Sequence, residues 1–302
     1  MQDFNISIQP TTKPTIVKFE ANKFLTKHES FEFHNIEEAA RSPLAQQLFH
    51  LPFIKTVYIA QNFVAIEKYN IVHWKDVQQE IAEQIEAFLN NGGIVAHPSE
   101  NENQKIPVTV YAETTPNPTV MKFVSNKKLV LQTVEFKNID EAKNAPLVKE
   151  LFHFPFVKEV FLDENYLSIT KYDIAEWDEI TSELREFIRQ YLEQGKDVLL
   201  EDEISPKASN TSEEQPIQKV KLDDTSAEIV AILDEYIKPA VASDGGNIMF
   251  DSYDPEEKLV KVILQGACSG CPSSTFTLKN GIENMLKEML QGKVEKVEAI
   301  NG

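Results

Sequence analysis

Apolar positions fall into two rhythms along this chain, and both come round twice. Residues 54–60 and 64–69 alternate apolar with polar like a pair of strands. Trp74, Val77, Ile81, Ile85 and Phe88 then hold helical spacing until Gly92 and Gly93 stop the run. Upstream, residues 17–19 and 31–33 predict short strands, and residues 36–41 a first helical piece. Pro43, following Ser42, suits the first turn of a second piece reaching about Phe49. The predicted order is ββαββα.

The same order returns at an offset of 103. Leu48-Phe49-His50-Leu51-Pro52-Phe53 recurs as Leu151-Phe152-His153-Phe154-Pro155-Phe156. Phe31-Glu32-Phe33 maps to Val134-Glu135-Phe136, Ser42-Pro43-Leu44 to Ala145-Pro146-Leu147, Lys68-Tyr69 to Lys171-Tyr172, and Trp74 to Trp177. The second helical stripe is Trp177, Ile180, Leu184, Phe187 and Tyr191, ending at Gly195. Two copies with a period near 100 are tandem domains and not a solenoid. One gap is expected near the start, where Thr11-Thr12-Lys13-Pro14 faces the longer Thr114-Thr115-Pro116-Asn117-Pro118.

A polar, turn-rich stretch at 96–105 reads as a short linker, and an acidic stretch at 197–224 as a mobile tether rather than a docking motif. Thr225 and Glu228 have capping-box spacing at the start of a helix that carries Ile229, Leu233, Tyr236 and Ile237. Pro239 kinks or ends it, and Asp244-Gly245-Gly246 suits a helix exit better than a phosphate loop. Strands at 247–251 and 258–264 follow, then a helix with Leu278, Ile282, Met285 and Met289 on one face, and a last strand at 294–300. The fold class is therefore α+β: three small α/β-sandwich-type domains, at 1–95, 106–196 and 225–302, with the tether at 197–224.

With 302 residues and 42% hydrophobic content the chain can fill such cores. Its net charge of −18 repels phosphate backbones and anionic lipid heads, so neither nucleic acid nor a membrane is an expected partner. No apolar run is long enough to span a bilayer, and Met1 to Pro10 lacks the pattern of a secretory signal. The expected location is cytoplasmic.

The two cysteines, Cys268 and Cys271, cannot staple a disulfide framework, and their spacing points to metal or redox chemistry. They lie in a Gly-flanked loop between a predicted strand and a helix N-terminus, where the helix dipole favours negative charge on sulfur. Gly266 and Gly270 would let backbone amides approach the thiolates. Spacing alone leaves a dithiol redox pair, zinc and an iron–sulfur cluster open. A four-thiolate site needs ligands that this chain lacks. They come from a second chain, from histidine or carboxylate, or from a small thiol. All six histidines (His28, His34, His50, His73, His97, His153) belong to the tandem domains, across the tether. A symmetric dimer sharing one labile site is simpler. For His50 and His153 packing or capping a helix end is favoured over ligation, for Trp74 and Trp177 a core role, and for Met285 and Met289 packing.

The run from Ile229 to Ile300 resembles the C-terminal domain of NifU-like (Nfu) iron–sulfur cluster scaffolds, through Lys238-Pro239, Asp244-Gly245-Gly246-Asn247, the stretch from Gly266 to Ser274, and Thr277 to Glu283. Each tandem unit is similar to the Nfu N-terminal domain. Its Thr-Pro-Asn-Pro signature stands at Thr115 to Pro118, followed by Lys122-Phe123, and the first copy keeps only Thr12, Pro14 and Lys18-Phe19. The resemblance implies a non-enzymatic carrier whose Cys268 and Cys271, from each of two chains, bridge a cluster, typically [4Fe-4S], at a homodimer interface in the C-terminal domain. Cluster would arrive from upstream assembly machinery and pass to apo iron–sulfur client proteins, with the N-terminal domains contacting partners. The alternative is a dithiol/disulfide redox protein using Cys268 and Cys271.

Overall fold

The computed structural model describes residues 3–26, 29–97, 107–200, 224–269 and 272–301. The mixed α/β architecture is as expected. The chain divides into two compact units, 1–107 and 108–302.

The first unit is a five-stranded antiparallel sheet in the order β1-β2-β5-β4-β3, built from β1 (Ile6–Pro10), β2 (Ile16–Ala21), β3 (Ser30–Phe33), β4 (Ile54–Ala60) and β5 (Phe63–Lys68). Helices α1 (Pro43–Phe49) and α2 (Trp74–Asn90) join its core of Phe19, Leu44, Leu48, Ile59, Ile66, Ile81 and Ile85. Ser42 caps α1: its Oγ accepts the Ala45 N–H at 3.1 Å, and Pro43 occupies the first turn.

The tandem copy in the second unit repeats this plan. Its strands β6 (Val110–Thr114), β7 (Val120–Ser125), β8 (Val134–Phe136), β9 (Val157–Asp163) and β10 (Tyr166–Lys171) run in the order β6-β7-β10-β9-β8, with α3 (Pro146–Leu151) and α4 (Trp177–Glu193). Val198 and Leu199 pack against this copy's core, and the Leu200 N–H donates to Asn144 O at 2.9 Å. The chain therefore stays on this domain through residue 200, beyond the start expected for the tether. The rest of that stretch, 201–223, lies outside the described residues, as does most of the first linker.

Two sequence expectations need correction. Each copy opens with an extra strand, β1 or β6, so the order is βββαββα. These are edge strands with little burial, which explains the weak pattern. The gap is also elsewhere. β1 and β2 precede β6 and β7 by 104 positions, whereas β4 and β5 precede β9 and β10 by 103, so the extra residue of the first copy falls between β2 and β3. Thr11 therefore matches Thr115, Lys13 matches Asn117 and Pro14 matches Pro118. The hydrogen bonds agree: Thr11 Oγ1 donates to Lys13 O and Ile16 O, and Thr115 Oγ1 to Asn117 O and Val120 O.

The third domain begins with α5 (Asp224–Ile232), a π-type turn (Leu233–Ile237) and α6 (Lys238–Ser243); the turn stands just ahead of Pro239, which lacks an N–H for the regular ladder. Strands β11 (Gly246–Asp254), β12 (Leu259–Gly266) and β13 (Lys296–Asn301) form one sheet in that order. β12 and β13 are parallel and so need a crossover, which α7 (Pro272–Met289) supplies. The cysteine loop is the first bend of that crossover. Ile282, Leu286 and Leu290 of this segment are buried, while Met289 is 45% exposed, so Met289 does not pack as expected and Met285 does only in part.

Candidate functional site

Cys268 lies in the bend after β12, held by an Ala267 N–H bond to Gly245 O at 3.2 Å and a Ser269 N–H bond to Gly266 O at 3.0 Å. Cys268 is only 6% exposed and joins the core of the third domain. Gly246 makes room for it: a Cβ there would stand 2.8 Å from Cys268 Sγ and 2.7 Å from Gln265 O. Sequence reasoning assigned that close approach to Gly266 and Gly270. Gly266 instead sends its N–H to the Glu135 carboxylate at 2.9 Å, and Gly270 lies outside the described residues. So does Cys271, directly ahead of α7.

The second tandem copy binds the chain just before and just after Cys268. Asn117, in the Thr-Pro-Asn-Pro turn between β6 and β7, donates through Nδ2 to Ala267 O at 3.2 Å and Ser269 O at 3.4 Å. Its Oδ1 accepts from Thr119 N and Oγ1 at 3.1 and 2.8 Å, so the amide orientation is set within its own turn. Ser168 Oγ donates to Gly245 O at 2.7 Å, and the Tyr166 hydroxyl lies 3.0 Å from Gly246 O and 3.1 Å from an Asp163 carboxylate oxygen. Burial, reinforced by the Asp163 charge, pushes the Tyr166 phenol far above its ordinary range and keeps it a donor.

Lys122 completes the contact. Its ammonium donates to Ala242 O at 3.0 Å and Ser243 O at 3.2 Å, at the C-terminal end of α6, where carbonyl dipoles favour a cation. It also stands 4.6 Å from the Tyr166 ring centroid. Glu135 is held above the ordinary carboxylate range because burial outweighs the Gly266 N–H bond and nearby Lys137.

The histidines offer no ligand set here. His50 occupies the C-cap position of α1, the helix-end alternative expected for it, and is exposed, as are His153, His34, His73 and His97; His28 lies outside the described residues. Among the described residues no three His, Cys, Asp or Glu side chains come together as a metal set. Trp74 is buried as expected, while Trp177 is only partly buried and donates its indole N–H to Pro118 O at 3.0 Å. Asn117, Tyr166, Ser168 and Glu135 were not singled out individually from sequence. Aligned with the corrected gap, three of them differ from the first copy: Asn117 against Lys13, Tyr166 against Phe63, Ser168 against Ala65. That divergence was the available signal.

Fold and site together define a multidomain α+β protein with one thiol-bearing crossover loop and two tandem sheet domains. A family model described as "Scaffold protein Nfu/NifU N terminal" matches residues 6–92 and 110–195, and one described as "NifU-like domain" matches 229–298. The chain belongs to the Nfu/NifU scaffold family. It is 33% identical over 184 residues to "NifU-like protein 4, mitochondrial" of Arabidopsis thaliana, covering 61% of this chain and 63% of that protein. It is 35% identical over 193 residues to "NFU1 iron-sulfur cluster scaffold homolog, mitochondrial" of Drosophila willistoni, covering 63% of each. The chain thus spans under two thirds of the length of these relatives. A solved NifU-like protein from Saccharomyces cerevisiae aligns at 24% identity and TM-score 0.31, over 35% of this chain and 96% of its own.

Proposed function

We propose that this protein is an iron–sulfur cluster scaffold and carrier. Two protomers each present Cys268 and Cys271, and the four thiolates bridge one cluster, [4Fe-4S], between the two C-terminal domains. The cargo comes from upstream assembly machinery and leaves for apo iron–sulfur clients as their own cysteines displace these thiolates. Each displacement exchanges one Fe–S(Cys) bond for another, with no net oxidation, so no catalytic turnover is required. The domains are 1–95, 106–196 with the packed residues up to Leu200, and a third from Asp224 onward, the last two joined by an acidic segment.

The observation that carries this reading is the placement of Cys268 at the head of the crossover loop of a NifU-like domain, in a chain with two cysteines in all. Two thiolates cannot complete a four-ligand cluster, and among the described residues no further ligands assemble beside Cys268. A second chain supplies them most simply. No helix among the described residues is long and apolar enough to cross a membrane. We read the chain as cytoplasmic, a compartment that keeps thiols reduced; the relatives carry a mitochondrial label of their own.

Anaerobic reconstitution with iron and sulfide tests the proposal. About four iron and four sulfide per two chains are expected, with a shift to a dimer on sizing. Cys268→Ser and Cys271→Ser should each abolish the visible absorbance. A reversible Cys268–Cys271 disulfide with no bound iron would replace this reading with the dithiol one.

A further inference from the structure

We propose that the outer sheet face of the second tandem copy is a closing seat for the cysteine loop. While the seat is occupied Cys268 cannot be shared with a second chain, so cluster uptake and release require the third domain to leave it. This deepens the carrier reading and rests on it.

The seat recognises the loop through its backbone. Asn117 binds the carbonyls on either side of Cys268, Ser168 and Tyr166 take those of Gly245 and Gly246, Lys122 takes the end of α6, and Glu135 takes the Gly266 N–H. The fit depends on missing side chains. A Cβ on Gly245 would come within 2.9 Å of Ser168 Oγ, and one on Gly266 within 2.9 Å of the Phe161 ring. Cys268 is thus packed into its own core beside Gly246, while the second copy holds the backbone on either side of it. A bridging site has the opposite requirement, that Cys268 face a symmetry axis with room for an inorganic cluster.

The first copy is a natural variant of the same face with the recognition removed. Lys18 lies opposite Ala65 as Lys122 lies opposite Ser168, and Glu20 opposite Phe63 as Val124 lies opposite Tyr166. Even the cation over the ring persists: Lys18 stands 4.5 Å from the Phe63 centroid. Yet Phe63 has no hydroxyl, Ala65 no hydroxyl, and Lys13 no amide to bridge two carbonyls. Three donors are gone while the sheet that would present them is intact. The contact is mostly uncharged hydrogen bonds over a polar face, the type of interdomain interface that opens and closes.

The test gives the second copy the residues of the first, in the full chain: Asn117→Lys, Tyr166→Phe and Ser168→Ala together. The first copy forms its sheet with these residues, so the change leaves the second copy folded, and protection of its core amides checks that. Four bonds are lost, two from Asn117 and one each from Tyr166 and Ser168; at about fivefold each, exchange of the Gly266 amide should accelerate roughly six-hundredfold, with Ser168→Ala alone giving about fivefold. Cluster uptake on anaerobic reconstitution, followed by visible absorbance, should quicken at least about tenfold over wild type. Unchanged Gly266 exchange would overturn the seat. Faster exchange with unchanged uptake would overturn its control over the cluster. If neither protein takes up iron and sulfide, the carrier reading itself fails and the control goes with it, while the exchange data still report whether the seat closes.

Discussion

Strands β5 and β10 are the same strand in two copies of one domain, and they are buried differently. β5 alternates, one residue partly exposed and the next buried, from Phe63 to Lys68, whereas β10 is buried at five of its six positions. β2 and β7 differ in the same way. A sheet with one covered face reads as alternation, and one covered on both faces reads as a continuous run. The inner faces match, so the difference lies in the outer face, where in the second copy Asn117 donates to the cysteine loop and Ser168 and Tyr166 to the adjacent Gly245-Gly246 turn. Duplication here preserved a scaffold and let its exposed face diverge.

The largest effect that can break this comparison is at the matched lysines. Lys122 is buried and makes two charge-assisted bonds to the end of α6, while Lys18 pairs with Glu20 at 3.4 Å and is 30% exposed. Lys122→Met should lower the stability of the docked third domain by about 3 kcal/mol, and Lys18→Met by under about 1 kcal/mol. Urea unfolding of the full chain reads both. Equal shifts would mean that the two faces do equivalent work. Next come the turn positions. Asn117→Ala removes two interdomain bonds and the internal cap to Thr119, a cost of about 2 kcal/mol, whereas Lys13→Ala should be nearly neutral. The Gly266 amide is again the reporter, because it sits beside the carbonyls that Asn117 holds.

A finer contrast lies at the tryptophans. Trp177 donates to Pro118 O, but the buried Trp74 Nε1 has no partner among the described residues. Both indoles lose similar volume on replacement by Phe, yet only Trp177→Phe loses a bond, and Trp74→Phe also relieves a buried donor. Trp74→Phe should therefore be about 1–2 kcal/mol the milder of the two, measured by the melting of each variant.

Much of this was legible before any coordinates. The helical stripes from Trp74 and Trp177, the Ser42-Pro43 start of α1 and the strand-loop-helix order around the cysteines all carry strong local signals: periodicity, a cap, a proline that cannot sit elsewhere. The edge strands β1 and β6 were not, because a half-covered strand ending in polar residues lacks the contrast that alternation needs. Met289 was misassigned because a helix of 18 residues drifts around its axis, and Leu286 and Leu290 took the core positions. The seat was hidden for a different reason. Asn117, Ser168 and Tyr166 recognise backbone carbonyls, and a backbone leaves no residue-type signature in the partner sequence beyond the glycines that let it approach. Gly245 and Gly266 were visible, but as a helix exit and as room beside the thiolates, not as one half of an interface.

The smallest effect is a pH dependence confined to the second copy. Glu135 accepts the Gly266 N–H, which favours its charged form, yet burial dominates and raises its pKa above the ordinary 4.5. Its counterpart Glu32 is exposed on the first copy. A carboxyl whose pKa rises on docking binds protons more readily docked than free, so docking gains from acid. That contribution is fully present below about 4.5 and is lost as pH rises through the raised value. After correction for intrinsic exchange, the Gly266 amide should be better protected near the acid end of that window than at neutral pH. Glu135→Gln keeps an acceptor for the N–H but cannot ionise, and should flatten the profile. Glu32→Gln should leave it as in wild type. A profile that steepens in the other direction would show that the charged carboxylate, with its bond to Gly266 and its attraction to Lys137, outweighs burial in holding the loop.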